Sequence, residues 1–251
     1  MRNFFCYLFI LVSFCTEHPQ AEGIEPLPFK VGERLEYDLE WGFLPVGKAT
    51  LHLHSVTEIN DISCFLIKFS VRTNSFADSF YKVRTTIESY VTEDFSKSIL
   101  YRKDQQEGKT KRIVEVDFNY QKRRATYRRS DGVQTSIAIP KYVLDPLALA
   151  YFFRLKNLKE NKKWTIPTCD GKRFNNILVR SGQKKEISVP AGKFDAIETF
   201  PEMENLRGVF NKSPDGLLKV WYSGDRRQLP VKISSKVIVG SFNAELKNIA
   251  K

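Results

Sequence analysis

The chain has 251 residues, of which 42% are hydrophobic and 27% are charged, and its formal net charge is +11. This composition excludes a disordered chain and is sufficient to bury one full hydrophobic core. A basic balance favours anionic partners, such as a lipid, a glycolipid or another anionic component of a cell envelope. A cluster of charges is more often an ordinary solvated face, so the net charge alone does not define a partner.

The N-terminal residues are predicted to form a secretory signal peptide. Arg2 is followed by an apolar run over residues 4–14, which is too short to cross a bilayer because a spanning helix needs about 20 residues. We expect residues 1–21 to be the leader, with cleavage somewhere between 15 and 23, and residues 24–251 to be the mature chain without a transmembrane segment. The predicted location is the periplasm or the cell envelope, and export makes nucleic acid the least expected partner.

Four cysteines allow two further interpretations. Cys15 lies in the leader and offers a lipid anchor as an alternative, but Phe14 stands where a lipobox has a small residue, which favours a lipid-free protein. Cys64 and Cys169 remain in the mature chain and are a candidate disulfide in an oxidising compartment. Such a bridge would close a loop of about 100 residues and contribute about 4 kcal/mol. The alternative is that both are small buried apolar side chains.

Alternation of apolar and charged residues predicts strands along most of the chain. This period of two is typical of antiparallel strands with one face in a core and the other in water. Asn60 and Asp61 predict a tight hairpin turn in which Cys64 opposes Thr57. The runs are 35–39, 49–54, 64–71, 81–91, 98–103, 113–120, 125–129, 134–139, 164–168, 177–179, 186–189, 194–200 and 217–222, followed by a strand meander to 246.

One segment departs from this alternation and is predicted to be helical. Asp145 can cap free backbone amides and Pro146 suits a first helical turn, and apolar residues follow at helical spacing. Arg154 is expected near the C-terminal end of the helix dipole. The prediction is therefore a mainly β protein: a large curved antiparallel sheet or partly open barrel with one short central α-helix at about 145–157. Residues 24–251 form a single domain, or two halves, 29–140 and 160–250, joined by this helix.

Residues typical of catalytic or metal sites are sparse. His52 and His54 share one side of a strand but have no evident third ligand, so we predict no metal site. Glu36, Asp38 and Glu40 are interpreted as a water-facing acidic stripe and not as paired catalytic acids. All three histidines of the chain lie in its first quarter, which disfavours a hydrolase triad. We therefore predict no enzyme activity and no cofactor.

A charged turn near the C-terminus is the best candidate binding site. Arg226 and Arg227 follow Asp225, and two guanidiniums can hold a phosphate or carboxylate in a bidentate manner. Trp221 and Tyr222 stand close by in sequence and could stack on a ligand. The candidate ligand-binding residues are therefore Arg226, Arg227, Trp221 and Tyr222. The alternative is that Asp225 caps the turn and an arginine bridges to a neighbouring strand.

Several short motifs occur in a particular order along the chain. They are Gly32-Glu33 with Leu35, Tyr37, Trp41, Gly47 and Ala49; Asp145-Pro146-Leu147-Ala148 with Arg154; Val189-Pro190-Ala191-Gly192-Lys193-Phe194; Val220-Trp221, Asp225-Arg226-Arg227 and Pro230-Val231; and Gly240-Ser241. In this order they resemble a bacterial exported family called domain of unknown function 3108, over about residues 29–246. The resemblance implies an exported cell-envelope β protein of unassigned activity and supplies no catalytic residues.

Three functional hypotheses follow. The favoured one is an envelope binding or scaffold protein that holds a lipid or other amphipathic ligand in its curved sheet, because the strands are amphipathic and the chain contains 32 aromatic residues. A solid interior would contradict it. The alternative is an interaction component of an envelope assembly or transport machinery, which an exposed aromatic patch would favour. An outer-membrane barrel is disfavoured, because dense charge alternation leaves no lipid-facing band.

Overall fold

The computed structural model describes residues 26–201, 218–236 and 241–250. The predicted leader, its cleavage site, Cys15 and the motif residue Gly240 lie outside the described residues. No helix within the described ranges is long and apolar enough to cross a membrane.

Fourteen strands of the described chain form one antiparallel sheet. Along the sheet they follow the order β8-β7-β6-β5-β4-β3-β2-β1-β14-β13-β12-β11-β10-β9. The strands are β1 Arg34–Trp41, β2 Leu44–Ile59, β3 Ile62–Thr73, β4 Val83–Thr92, β5 Ser98–Glu107, β6 Thr110–Asn119, β7 Arg124–Arg129, β8 Gln134–Ala138, β9 Lys163–Cys169, β10 Phe174–Val189, β11 Gly192–Pro201, β12 Leu218–Ser223, β13 Pro230–Lys236 and β14 Ser241–Ala250.

Local patterns account for most of these strands. In β7, Ala125 and Tyr127 are buried while Arg128 faces water, as a period of two requires. At the β2–β3 turn, Asn60 and Asp61 both have positive φ, which these residue types tolerate better than most. The register prediction is confirmed, because Thr57 pairs with Cys64.

The two runs of strands belong to one continuous sheet, because β1 pairs with β14 from Arg34↔Ala250 to Trp41↔Phe242. The long strand β2 shifts register against both of its neighbours and β10 shifts once, and such bulges increase the local twist that curves a sheet. Strands β8 and β9 remain as the two edges. The predicted curved, partly open antiparallel sheet is thus confirmed.

The segment after β8 spans part of the gap between the two edges. Val143 accepts a hydrogen bond from the backbone of Ser98 at 2.9 Å. One residue later, Leu144 forms an isolated parallel bridge with Thr168 of β9. The opening is therefore crossed by irregular chain and not by strand pairing.

The central helix begins as predicted but is shorter than expected. Asp145 Oδ1 accepts hydrogen bonds from the backbone N–H groups of Leu147 and Ala148 at 2.8 and 3.1 Å, so it caps the helix start. The helix α2 covers Ala148–Phe152 and continues as a 3₁₀ turn over Phe153–Leu155.

A glutamine from the β12–β13 turn replaces the next helical hydrogen bonds. Gln228 donates from Nε2 to the Arg154 carbonyl oxygen at 2.7 Å and accepts from the Leu158 N–H at 2.9 Å. These bonds satisfy backbone groups that a longer helix would have paired internally. A second short helix, α1 Ser75–Asp78, follows Asn74, whose side chain caps it by accepting from Ala77 N.

Side chains fill the interior of the described sheet. The largest buried cluster combines residues of the central strands with Ala148, Tyr151 and Phe153 of the helix. The rings of Phe29, Phe95 and Tyr151 contact one another with centroids 5.0 to 6.0 Å apart. The helix therefore occupies the hollow in which the sequence suggested an amphipathic ligand.

Candidate functional site

A buried arginine lies where β1, the helix and the β12–β13 turn meet. The side chain of Arg154 is 0% exposed and forms an ion pair with Glu33, with a second contact from Nη2 to Oε2 at 3.0 Å. Its Nε donates to the Arg227 carbonyl oxygen at 3.1 Å. Its guanidinium also lies over the rings of Phe29 and Tyr151, 4.9 and 5.2 Å from their centroids. The guanidinium thus has an ion-pair partner, a backbone acceptor and two aromatic rings beside it.

Two buried tyrosines add to this centre. Tyr37 donates to the Pro230 carbonyl oxygen at 2.9 Å, and Tyr222 donates to the Ala150 carbonyl oxygen at 3.3 Å. Burial raises the pKa of both phenols, although the charge of Arg154 opposes the rise. Both therefore remain neutral hydrogen-bond donors at ordinary pH.

This centre was not found from the sequence, where Arg154 was expected near the C-terminal end of the helix dipole. Arg154 does lie in the 3₁₀ turn that ends the helix, but its side chain is fully buried and paired with Glu33. The sequence signal that could have revealed this centre was the set of family motifs. Glu33, Arg154 and the Asp225–Arg227 turn belong to three of these motifs, which meet in space. Three N–H groups of Arg154 donate to protein acceptors, so we interpret the arrangement as structural. The buried Tyr151 hydroxyl beside it has no hydrogen-bond partner within the described residues.

The charged β12–β13 turn is held by its own acid. Asp225 accepts from Ser223 Oγ at 2.8 Å and from Arg227 Nε and Nη2 at 2.9 and 2.6 Å. Burial alone would raise the pKa of Asp225, but hydrogen bonds from Arg227 and Ser223 hold it below its usual range. The guanidinium of Arg227 is therefore engaged by the turn.

The four predicted ligand-binding residues do not form one site. Tyr222 is buried in the core with 3% of its surface exposed. Trp221 is the adjacent residue on the strand and is half-buried between its cross-strand partners Glu198 and Lys232. Arg226 is exposed and donates from Nη2 to the Pro26 carbonyl oxygen at 3.2 Å.

Arg226 borders a shallow, half-open groove of about 400 Å³. The groove lies between the N-terminal segment, the helix end and the charged turn. Its size and mixed polar and apolar lining suit a small amphipathic group. The lining residues are Pro26, Leu27, Pro28, Arg154, Leu155, Asn157, Leu158, Gly224, Asp225, Arg226 and Gln228.

The two cysteines are not joined. Cys64 and Cys169 are both free and buried, and they lie in separate hydrophobic clusters. Burial raises the pKa of the Cys64 thiol to about 11 and that of the Cys169 thiol to about 12. Their buried, apolar surroundings fit the alternative interpretation, in which both act as small apolar side chains. The candidate disulfide is not formed.

The histidines and the acidic stripe also have ordinary surroundings. The His52 and His54 rings contact each other with centroids 5.1 Å apart, and burial together with the neighbouring His54 lowers the pKa of His52. No group of three metal-ligating side chains occurs within the described residues. Glu36 pairs with Arg34, and Asp38 pairs with Lys247. The absence of metal, cofactor and enzyme activity stays a prediction.

A second surface lies at the other end of β1, away from the buried arginine and the groove. Seven large apolar side chains are exposed there, on the β1–β2 turn, the start of β14 and the segment around α1. Phe43 is 98% exposed and Phe80 is 78% exposed. We call this surface the aromatic rim. Its members are Trp41, Phe43, Leu44, Phe76, Phe80, Tyr81 and Phe242.

These features define an open, barrel-like β protein in which one antiparallel sheet curves around a short helix. The chain belongs to the family of proteins of unknown function called DUF3108, whose model matches residues 36–247. The family resemblance of the sequence motifs is thereby confirmed. No curated protein matches the sequence.

Two solved structures resemble the chain. One is a β-barrel-like protein of domain of unknown function DUF1849 from Brucella abortus, at 9% identity and a TM-score of 0.56, with 87% of this chain and 97% of that chain covered. This likeness shows a shared fold. The other is described as a "putative lipoprotein" from Parabacteroides distasonis, at 11% identity and a TM-score of 0.34, with 89% and 97% covered. At that score the second likeness carries no argument.

Proposed function

We propose that this protein is an exported cell-envelope scaffold that binds an amphipathic, anionic partner through its outer surface and catalyses no reaction. The observation that carries this proposal is the aromatic rim on a scaffold whose interior is filled. Contiguous apolar surface of this kind on a folded protein marks an interaction site. The leader predicted over residues 1–21 and the net charge of +11 support an envelope location and an anionic partner.

The groove beside Arg226 supports a second candidate, the binding of a small amphipathic ligand with an acidic group. Arg226 forms no ion pair within the described ranges, unlike Arg227, and Leu155 and Leu158 provide apolar surface close by. This ligand would lie at the surface and not inside the sheet. The enclosed-ligand hypothesis is disfavoured, because aromatic side chains occupy the interior.

Fractionation of cells that express the full chain with a C-terminal tag tests the proposed function. We expect the protein in the envelope fractions, shortened by the mass of a leader, with lipid or an envelope component retained on purification. A full-length protein confined to the cytosol would contradict the proposal. Co-purified lipid that is lost on Arg226→Gln but kept on Phe43→Ser would favour the groove over the aromatic rim.

A further inference from the structure

The aromatic rim is one connected surface. Asn74, which caps α1, donates from Nδ2 to the Pro45 carbonyl oxygen at 2.6 Å and from its backbone N–H to the Val46 carbonyl oxygen at 2.9 Å. These bonds fix the short helix beside the β1–β2 turn. On the other side of that turn, Trp41 stacks on Phe242 with ring centroids 6.2 Å apart.

The β5–β6 turn extends the same surface. Gly108 donates its N–H to the Lys82 carbonyl oxygen at 2.8 Å. A Cβ atom at Gly108 would lie 2.7 Å from the ring of Tyr81, so this ring covers the glycine. The turn therefore places Lys109 next to the aromatic side chains.

The apolar side chains of the aromatic rim belong to none of the buried hydrophobic clusters of the described residues. Helix α1 buries none of its residues. Phe76 and Phe80 contact each other edge to face, with centroids 5.5 Å apart, yet both remain exposed. Phe43 is almost entirely in water. Keeping such rings in water is unfavourable, which points to a partner that covers them.

The charges around the aromatic rim are mainly positive. The acids Asp78 and Glu107 are paired with Arg84 and Lys103. Glu40, at the base of the β1–β2 hairpin, and the exposed Asp104 of β5 are two further acids of this region. Against them stand four exposed basic residues that form no ion pair within the described part of the chain, namely Lys82, Lys109, Lys111 and Arg112.

This combination fits a lipid surface better than a protein surface. Aromatic rings and lysines are enriched together where proteins meet the interface of a bilayer, with the rings at the headgroup level and the cations near anionic lipid. Protein–protein interfaces, in contrast, are depleted in lysine. The two most exposed rings stand on the β1–β2 turn and on the turn that follows α1, so both are free to enter a soft interface.

We propose that the aromatic rim docks this protein reversibly onto a bilayer that contains anionic phospholipid. Phe43 and Phe80 insert at the headgroup level, while Lys109 and Lys111 contact the anionic head groups. This inference rests on the proposed function and names the partner of the same surface. Binding is reversible because only a few side chains enter the interface.

Sedimentation with vesicles tests the inference on the exported protein. Vesicles of phosphatidylcholine with phosphatidylglycerol are compared with vesicles of phosphatidylcholine alone. For Phe43→Ser/Phe80→Ser we expect binding to the anionic vesicles to fall by about tenfold or more, because the inserted apolar area is lost. For Lys109→Gln/Lys111→Gln we expect the preference for anionic vesicles to fall by about fivefold or more.

The matched control is Val56→Ser/Tyr142→Ser, which removes two exposed apolar side chains outside the aromatic rim. It should bind the anionic vesicles within about twofold of wild type, since isolated exposed apolar residues are common on protein surfaces. Thermal unfolding of each variant shows that the fold is retained. The inference would be overturned if the wild-type protein did not sediment with the anionic vesicles, or if the Phe43→Ser/Phe80→Ser variant bound them like wild type.

Failure of the inference is distinguishable from failure of the proposed function. If vesicles are not bound but the aromatic-rim substitutions abolish capture of an envelope protein or self-association in light scattering, the membrane is the wrong partner and the binding surface stands. If the substitutions change none of these readouts, the surface proposal fails as well.

Discussion

The two ends of β1 contrast sharply. At one end Arg154, a charged side chain, is fully buried among Glu33, Phe29 and Tyr151. At the other end Phe43, an apolar side chain, is almost fully exposed. Each reverses the usual distribution of residues between interior and surface. The buried charge of Arg154 is stabilised by its contacts inside the molecule. No residue of the described chain covers the exposed ring of Phe43. The contrast separates a part that holds the fold from a part available to a partner.

The largest effect is expected at the buried arginine. Arg154→Met leaves Glu33 without its partner at a site where only 11% of that side chain is exposed. We expect the free energy of unfolding in urea to fall by about 3–5 kcal/mol. The control Arg227→Met removes an ion pair whose side chains are about half exposed, which should cost less than about 1 kcal/mol. An equal loss of unfolding free energy in the two variants would show that the buried Arg154 matters no more to the fold than the surface Arg227.

A smaller loss is expected at the helix start. Asp145→Ala removes the helix cap and leaves the buried hydroxyls of Ser89 and Ser98 without their acceptor. The free energy of unfolding should fall by about 2–3 kcal/mol. Asp170→Ala is the control, because Asp170 accepts similar backbone bonds on an exposed turn and should cost at most about 1 kcal/mol. A larger loss in the control would show that burial is not the deciding factor.

The charged turn should give a weak dependence of stability on pH. The pKa of Asp225 is lowered in the folded protein, so its stabilising effect is present above the unfolded pKa of about 3.9 and is lost as pH falls through the folded value. Because the side chains of Asp225 and Arg227 are about half exposed, Asp225→Asn should cost about 0.5 kcal/mol at pH 7. The difference in stability from wild type should shrink steadily as the pH falls below the unfolded pKa. A difference that persists or grows in acid would contradict this assignment.

The smallest effect is expected at the aromatic rim. Phe43→Ser should change the free energy of unfolding by less than about 0.5 kcal/mol, because the side chain has almost no contacts to lose. A loss above about 1 kcal/mol in thermal or urea unfolding would mean that Phe43 supports the fold. The two ends of β1 would then no longer differ in their contribution to stability.

Local patterns made the strands predictable, whereas distant contacts did not follow from them. Alternation identified the strands, and Asn60-Asp61 set a hairpin whose register places Thr57 opposite Cys64. The pairing of β1 with β14 joins residues more than 200 positions apart, and no local signal specifies it. The contact between Arg154 and Glu33 spans 121 positions, so each residue alone resembles an ordinary surface charge.

The candidate site was only partly predictable for a similar reason. The turn residue Asp225 could be interpreted from its type, since aspartate commonly caps turns. Tyr222 and Trp221 are neighbours in sequence, but alternation buries Tyr222 in the core and leaves Trp221 half-buried at its edge. The aromatic rim had a signal that was not used: Phe43, Phe76 and Phe80 lie in connections between strands, where polar residues are usual.

Hydrogen exchange of the protein, with and without vesicles that contain phosphatidylglycerol, tests the central claim most directly. We predict that the vesicles slow exchange in residues 41–45 and 74–82 and leave residues 26–28 and 224–228 at the groove unchanged. Protection at the groove with none at the aromatic rim would contradict the account, and so would an exchange pattern that the vesicles do not alter.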